Sequence, residues 1–265
     1  MDLILPDWIG APPGIGACST TRIGGFSVAP YDDGSGSGKH GFNLGANVAD
    51  DAADLSRNRQ QLQSFLPGVP VWLRQVHGSV VVDAASVATS AATSAAVQTQ
   101  AGACEADASF TDLPGVVCVV TTADCLPVLL TDMSGSVVAA AHAGWRGLAA
   151  GILQNTAAAV RARGAGELLA WLGPAIGPQH FEVGTEVYAA MMCQDPRADA
   201  AFRAVPGKPD KYLADIYHLA QLILANCGIR RIAGGHYSTF GDARRFYSYR
   251  RDGKTGRMAT MIWIK

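Results

Sequence analysis

The sequence predicts an α+β (mixed α/β) fold, in which a large mixed β-sheet is covered by helices. Apolar runs of strand length and amphipathic segments of helix length follow one another, but without the regular strand–helix–strand rhythm of a parallel sheet. The chain has neither a GxGxxG motif nor a P-loop, which are the signatures of common nucleotide-binding folds. No clear linker or repeat divides the 265 residues, and we expect one domain over residues 1–265.

Three segments are predicted to be helices because apolar residues recur on one face of each. They are residues 51–66, which end at Pro67-Gly68, residues 147–163, which end at a left-handed Gly164, and residues 212–227, which precede Gly228. In the first helix, Leu62 and Phe65 belong to the face predicted to be buried.

Seven apolar runs are predicted to be strands on their length and composition. They are residues 69–76, 79–83, 116–122, 126–130, 136–142, 168–172 and 258–264. Two further stretches are predicted to be flexible insertions. Residues 32–41 are rich in glycine and serine, and residues 84–103 lack an apolar stripe with which a helix could dock.

The composition is typical of a globular protein and limits its partners. Hydrophobic residues make up 49% and charged residues 16% of the chain, the formal net charge is −1, and no basic run stands out. This balance argues against nucleic acid or an anionic membrane as a partner and favours small neutral or anionic metabolites. No apolar stretch could span a membrane, no secretory signal is recognisable, and the six cysteines contain no CxxC pair. We therefore expect a cytoplasmic protein with reduced thiols.

A predicted hairpin brings a cysteine and a histidine together. The turn-like segment TDMSGS, residues 131–136, separates two apolar runs, and pairing Leu130 with Val137 places Cys125 opposite His142. The six-residue loop leaves this register uncertain by a residue or two, and Pro127 predicts an edge position or a bulge nearby. His77 ends another apolar run just before a glycine, so His77, Cys125 and His142 form a candidate set.

Three interpretations of this set remain open from the residues alone. Cys125 is a small buried hydrophobe, or it is a nucleophile with a histidine base oriented by Asp124 or Asp107, or the three side chains bind zinc. Three ligands would leave a fourth position open, as in catalytic zinc sites. Copper is less favoured, because a multicopper oxidase needs many more histidines than the six in this chain.

Seven motifs, taken together and in order, resemble the bacterial YfiH family, which is also called the laccase-domain or multicopper polyphenol oxidase family. They are TRIGGFSVAPY, RQVHG, EADASFTD, TTADCLPVLL, AAHAGWRG, LGPAIGPQHFEVG and FYSYRRDGKTGRMA. The resemblance implies a single mixed α/β domain with a metal, usually zinc, bound by His77, Cys125 and His142. Ser238 departs from the pattern, since many relatives have a cysteine there.

The resemblance also implies an activity. Members are associated with purine nucleoside phosphorylase activity on adenosine, inosine and methylthioadenosine, and with adenosine deaminase activity. Polyphenol oxidation and editing of a peptidoglycan precursor by a cysteine or zinc amidohydrolase are the alternatives. A non-catalytic metal-binding protein is a further alternative, and it predicts a fourth protein ligand that closes the site.

Several side chains are candidates for the chemistry that the resemblance implies, beside His77, Cys125 and His142. Deamination needs a carboxylate to move a proton, for which Asp124, Glu105 and Asp107 are candidates. Phosphorolysis needs donors for phosphate, and Arg22, Arg146 and Asn43 are predicted to bind substrate or phosphate. Arg250 and Arg251 are predicted to be structural, and Trp145 and Phe42 are candidates for stacking on a base.

Overall fold

The computed structural model describes residues 1–91 and 104–265, and these form a mixed α/β fold, as the sequence predicts. Numbered in chain order, the strands are β1 (Leu3–Ile4), β2 (Ile15–Thr20), β3 (Ile23–Ser27), β4 (Pro70–Val71), β5 (Val81–Asp83), β6 (Ala108–Thr111), β7 (Val117–Thr122), β8 (Leu126–Asp132), β9 (Val138–Ala143), β10 (Leu168–Leu172), β11 (Glu182–Gly184), β12 (Phe202–Val205), β13 (Lys208–Ala214), β14 (Arg231–Gly234) and β15 (Met258–Ile264). The helices are α1 (Ala52–Gln63), α2 (Ala84–Ala91), α3 (Trp145–Ala149), α4 (Ile152–Ala162), α5 (Thr185–Gln194), α6 (Ile216–Asn226) and α7 (Tyr249–Asp252).

The strands of the described residues form three sheets, where the sequence predicts one large sheet. The first has the order β1-β2-β15-β7-β4, the second β14-β10-β8-β9-β6-β5, and the third β11-β13-β12. The first two sheets are mixed, because β4 runs parallel to β7, and β5 and β14 run parallel to β6 and β10. Within the described ranges, no helix combines the length and the apolarity needed to cross a membrane.

The two larger sheets pack face to face, with helices on their outer sides. On one face of β8, Val128 and Leu130 belong to a core shared with helices α4 and α6. On its other face, Leu129 belongs to a core shared with Val120 of β7 and Ile262 of β15. Helix α1 covers the far side of the first sheet. Strand β8 is therefore buried on both faces, which is why its sequence is continuously apolar.

The hairpin of β8 and β9 has a register two residues away from the predicted one. Leu130 pairs with Ala139, and His142 pairs with Pro127 instead of Cys125. The carboxylate of Asp132 accepts hydrogen bonds from the Ser136 amide (2.7 Å) and hydroxyl (2.9 Å), so it organises the turn and lets β8 continue to Asp132. A slip of two residues keeps every side chain on its predicted face, and Cys125 still lies beside His142.

Pro127 lies in an interior strand, which corrects the prediction of an edge position or a bulge. Its carbonyl oxygen accepts a hydrogen bond from Gly173 N at 2.9 Å, just beyond Val128 and Leu172, the last pair of β8 with β10. In an antiparallel strand the nitrogen of a residue points to the same side as its carbonyl oxygen. The position of the missing N–H of Pro127 therefore faces β10 beyond the last paired residues of β8 and β10, so the absence of this donor removes no hydrogen bond between those paired residues.

The predicted helices are confirmed in type but not in extent. Residues 147–163 divide into α3 and α4 at Gly151, which has a φ of 88°, and Gly164 is left-handed as predicted, with a φ of 87°. Residues 212–214 belong to β13, because Asp215 caps α6 by accepting hydrogen bonds from Tyr217 N and His218 N. In α1, Phe65 lies beyond the helix and is 60% exposed.

The two predicted insertions have different outcomes. Residues 84–91 form helix α2, where the sequence favours a flexible stretch, because Asp83 accepts hydrogen bonds from Ala85 N and Ser86 N at its start. Residues 92–103 lie outside the described residues. The mobility of residues 32–41 stays a prediction, although Asp32 at the start of this loop forms an ion pair with Arg22.

Candidate metal centre and its cavity

The structure brings His77, Cys125 and His142 together, as the sequence predicts. Their three ligand atoms all lie within 4.8 Å of one another, and Cys125 Sγ is 3.7 Å from His77 Nε2. His142 is buried, Cys125 is partly buried and His77 is exposed. One thiolate and two imidazoles at these distances are suited to binding a single metal ion. Within residues 1–91 and 104–265 no fourth histidine, cysteine, aspartate or glutamate joins the group.

The buried carboxylate of Asp107 orients both histidines. It accepts hydrogen bonds from the backbone N–H groups of Val76 (3.2 Å), His77 (2.9 Å) and Gly78 (2.7 Å), and it lies 2.8 Å from His142 Nδ1. The first three bonds hold His77 in a left-handed conformation with a φ of 61°. The fourth leaves His142 Nε2 as the free ring nitrogen, an arrangement that is common behind metal-binding histidines. Of the two aspartates predicted to orient a histidine, Asp107 does so.

Asp124 holds the backbone next to Cys125. It is 9% exposed and lies in a turn before β8, with a φ of 94°, so it does not belong to a regular strand. Its carboxylate accepts hydrogen bonds from Thr239 Oγ1 (2.6 Å), Ser248 Oγ (3.0 Å) and Arg250 N (2.7 Å). Because these three donors occupy both oxygens, the geometry favours a structural part for Asp124 over proton transfer.

The approach of Cys125 to His77 requires glycine at position 144. A Cβ atom on Gly144 would lie 2.9 Å from Cys125 Sγ and 3.1 Å from His77 Cδ2. Gly144 also precedes α3, so the chain turns from β9 into this helix directly behind the two ligands. The glycine of the AHAGW motif is therefore explained by the space that the two ligands occupy.

The side chains of the centre favour a thiolate beside a histidinium ion when no metal is present. Burial alone would raise the pKa of the Cys125 thiol, but the charge and the hydrogen bonds of His142 and His77 outweigh it and lower the pKa to about 6. Burial opposes protonation of His142, but Cys125 and Asp107 outweigh it and raise the pKa of His142 to about 9. A thiolate is the form of cysteine that binds metal ions.

We expect metal-free protein to react with iodoacetamide at Cys125 even in weakly acidic solution. The thiolate is the reactive form and exists above the pKa, so the alkylation rate should rise with pH through a midpoint of about 6 and level off near neutrality. Peptide mass spectrometry after timed labelling would follow Cys125 separately from the other five cysteines. Free cysteine, whose thiol pKa is about 8.5, is the reference. A midpoint at or above that of free cysteine would contradict this prediction.

A cavity of about 500 Å³ opens beside the three ligands and carries a positive charge. Arg146, Arg250 and Arg257 line it, and Asp124, whose carboxylate is already hydrogen-bonded, is the acidic residue among the described lining. The guanidinium of Arg146 is exposed, lies 4.5 Å from the centroid of the Trp145 ring and forms no ion pair with any described residue. The cavity is therefore suited to an anion next to the candidate metal centre.

Four of the candidate site residues do not line the cavity. Arg22 is buried and its guanidinium is hydrogen-bonded within the protein. Its Nε and Nη2 donate to Asp32, and its Nη1 donates to the Ala243 carbonyl. The guanidinium also lies over the ring of Tyr247. Its binding of phosphate is therefore not supported. Phe42 is fully buried in the core beneath α1 and does not reach the cavity. Glu105 forms an ion pair with Arg74, and Asn43 holds the backbone of Gly45 from behind.

Sequence reasoning missed two of the three cavity arginines. Arg250, predicted to be structural, lines the cavity, and its Nη1 donates to the Glu182 carbonyl at 2.7 Å. Arg257 was not singled out from the sequence, yet it lines the cavity. Its Nη1 donates to the carbonyls of Thr255 and Gly256, both at 2.9 Å, and its aliphatic stem packs on Gly45. Arg257 could have been singled out by its position in the GKTGRMA stretch, which belongs to one of the seven motifs.

Arg251 is structural as predicted, because it donates to the carbonyls of Thr239, Phe240 and Phe246.

The fold, together with the group of His77, Cys125 and His142, indicates a protein of the laccase-like class. The chain belongs to the family described as multi-copper polyphenol oxidoreductase laccase, whose sequence profile matches residues 16–265. This confirms the resemblance seen in the motifs.

Named relatives and a solved structure match 99% or more of the chain. The purine nucleoside phosphorylase YfiH of Escherichia coli K12 is 47% identical over 264 residues, which is 99% of this chain and 98% of the relative. The purine nucleoside phosphorylase PA4543 of Pseudomonas aeruginosa is 46% identical over 263 residues, with the same coverage. The crystal structure of the Neisseria meningitidis protein NMB0706 is 41% identical, covers 100% of both chains and superposes with a TM-score of 0.88.

Proposed function

We propose that this chain is a zinc-dependent purine nucleoside phosphorylase that acts on adenosine, inosine and methylthioadenosine, with adenosine deamination as a side activity. The observation that carries the proposal is one cavity that combines the His77, Cys125 and His142 centre with three arginines. The names of the relatives support purine nucleosides as the substrate class.

The donor set of the centre fits zinc. His77, Cys125 and His142 would hold the ion, and Asp107 would keep His142 in the tautomer that binds it. When bound, zinc would supply a Lewis acid with an open coordination position, which is the chemistry that deamination needs. A non-catalytic metal-binding protein predicts a fourth protein ligand, and none joins the group within the described residues.

The arginines would bind the phosphate that attacks the nucleoside. In phosphorolysis a phosphate oxygen forms a bond to C1′ while the bond from C1′ to N9 breaks. The purine leaves with the electron pair of that bond and takes up a proton, so adenosine and phosphate give adenine and ribose 1-phosphate. Arg146, Arg250 and Arg257 would hold the charge of the phosphate within the cavity.

The apolar part of the cavity would accept the base. Leu73, Ile176, Phe181 and Ile216 line it, and the aromatic rings of Trp145 and Tyr249 border it. Flat aromatic side chains beside aliphatic ones provide a surface on which a purine stacks, so the stacking predicted for Trp145 remains part of the proposal.

The test is phosphate-dependent release of the base. Zinc-loaded protein is incubated with adenosine, with and without phosphate, and the products are separated by chromatography. We expect adenine and ribose 1-phosphate only with phosphate, and inosine and ammonia in both cases. Arg146→Gln should raise the KM for phosphate about tenfold or more, whereas Arg230→Gln, at an exposed site outside the cavity, should not.

Two outcomes would contradict the proposal. Release of adenine that is independent of phosphate would indicate a hydrolase. Absence of both adenine and inosine, together with oxidation of a polyphenol by copper-loaded protein, would favour the laccase activity that the family description names.

A further inference from the structure

Among the described residues, two with side-chain amides line the cavity, and they differ in their hydrogen bonds. The amide of Gln75 is hydrogen-bonded to Thr121 at both its oxygen and its nitrogen. The Gln75 amide oxygen accepts from Thr121 N (2.8 Å) and Thr121 Oγ1 (3.0 Å), and the Gln75 amide nitrogen donates to Thr121 O (2.9 Å). Asn47 is exposed, and its amide forms no hydrogen bond with any residue in the described ranges. Asn47 therefore presents an unused donor and an unused acceptor to whatever enters the cavity.

The segment that carries Asn47 is held in place from outside the cavity. Asn43 binds both backbone groups of Gly45, accepting from its N–H at 3.0 Å and donating to its carbonyl at 3.2 Å. The Tyr31 hydroxyl donates to the carbonyl of Val48. Ala49 then ends this short 3₁₀ turn (Ala46–Val48) with a left-handed φ of 59°. The backbone on both sides of Asn47 is therefore fixed by side chains that do not contact the cavity themselves.

The same segment lies against one of the cavity arginines. A Cβ atom on Gly45 would lie 2.5 Å from Arg257 Cγ, so the chain passes directly over the stem of Arg257. Arg257 N in turn donates to Asn43 Oδ1 at 2.9 Å. The backbone segments that carry Asn47 and Arg257 are thus joined by hydrogen bonds through Asn43, which keeps the two residues on neighbouring parts of the cavity wall.

We propose that Asn47 determines base specificity by binding the purine edge formed by N7 and the substituent at C6; this inference rests on the proposed function. On this edge adenine offers the N7 acceptor and the N6 donor, and hypoxanthine offers two acceptors, N7 and O6. A carboxamide can accept from N6 and donate to N7 of adenine, and it can donate to O6 or N7 of hypoxanthine. An amide at this position therefore allows one cavity to accept both adenosine and inosine.

Asn47→Asp tests the proposal because it changes hydrogen bonding with little change in shape. A carboxylate accepts from N6 of adenine but cannot donate to hypoxanthine, whose two acceptors it would face unpaired. We expect the ratio of kcat/KM for adenosine to that for inosine to rise about tenfold or more, mainly through a loss with inosine. Gln221→Glu is the matched control, because it makes the same change from amide to carboxylate at an exposed site outside the cavity, and it should leave the ratio unchanged.

The other outcomes separate the two proposals. If wild-type protein releases both bases with phosphate but Asn47→Asp leaves the ratio unchanged, Asn47 does not contact the base. If both substrates lose activity equally, Asn47 binds the ribose or the phosphate, and the assignment to the base is overturned. If wild-type protein releases no base with phosphate, the proposed function itself fails. Thermal melting of both variants checks that the substitutions leave the fold intact.

Discussion

Replacing Cys125 with alanine is expected to abolish tight zinc binding and to lower kcat/KM for phosphorolysis of adenosine at least about a hundredfold. The change removes the one thiolate of the centre and leaves two imidazoles, of which His77 is exposed and His142 is buried. Two imidazoles on separate segments cannot supply the three ligands that catalytic zinc sites use. Zinc content after dialysis, measured by elemental analysis beside the activity, checks the expectation.

Cys193→Ala is the matched control, because Cys193 is an exposed cysteine that is not part of the group. It should keep one zinc ion per chain and full activity. A Cys125→Ala protein that also retains one zinc ion and full activity would show that the thiolate is not a ligand. Loss of activity with full zinc content would instead favour Cys125 as a nucleophile.

Replacing Asp124 with alanine is expected to lower the free energy of unfolding by about 3 kcal/mol. The change leaves Thr239 Oγ1, Ser248 Oγ and Arg250 N without the acceptor that they share. It also places alanine at a φ of 94°, a conformation in which a Cβ atom is strained. For a chain of this size the melting temperature should fall by about 6–12 °C. Urea denaturation followed by circular dichroism measures the free energy directly.

Asp124→Asn separates this structural part from the proton transfer that the sequence suggests. Asparagine tolerates positive φ values and keeps one acceptor oxygen, so it should lose less stability than alanine and retain most of the activity below its melting temperature. If Asp124→Asn melts like the wild type but loses deaminase activity, the carboxylate moves a proton, and our interpretation of its hydrogen bonds is wrong.

The proximity of the three candidate metal ligands could be predicted from apolar runs in the sequence, whereas their assignment as a metal-binding set came from the resemblance to the YfiH family. His77, Cys125 and His142 each follow or end such a run, so periodicity alone brought two of them to one end of a hairpin. The exact register could not be predicted. It depends on the Asp132 carboxylate, which binds Ser136 within the turn, and loop length alone does not determine which turn residue is bound.

The cavity arginines were harder to predict, because a charge in the sequence does not reveal what surrounds it. Arg22 and Arg257 both lie in glycine-containing motifs, yet Arg22 is enclosed by Asp32 and Ala243, whereas Arg257 faces the cavity. The partners of Arg22 include a residue 221 positions away in the chain, which no local pattern contains. Asn43, predicted to bind substrate or phosphate, does not line the cavity and instead supports Gly45 and Arg257 from behind.

The turn between β8 and β9 has a consequence for insertions and deletions during the evolution of this family. Residues 133–135 lie outside the two strands and at the surface, so a residue added there lengthens an external loop. One residue added inside β8 would exchange its two buried faces and carry Leu129 from the inter-sheet core to the helix side. It would also move Cys125 relative to His142. Length variation among homologues should therefore be found in this turn and be absent from the strand.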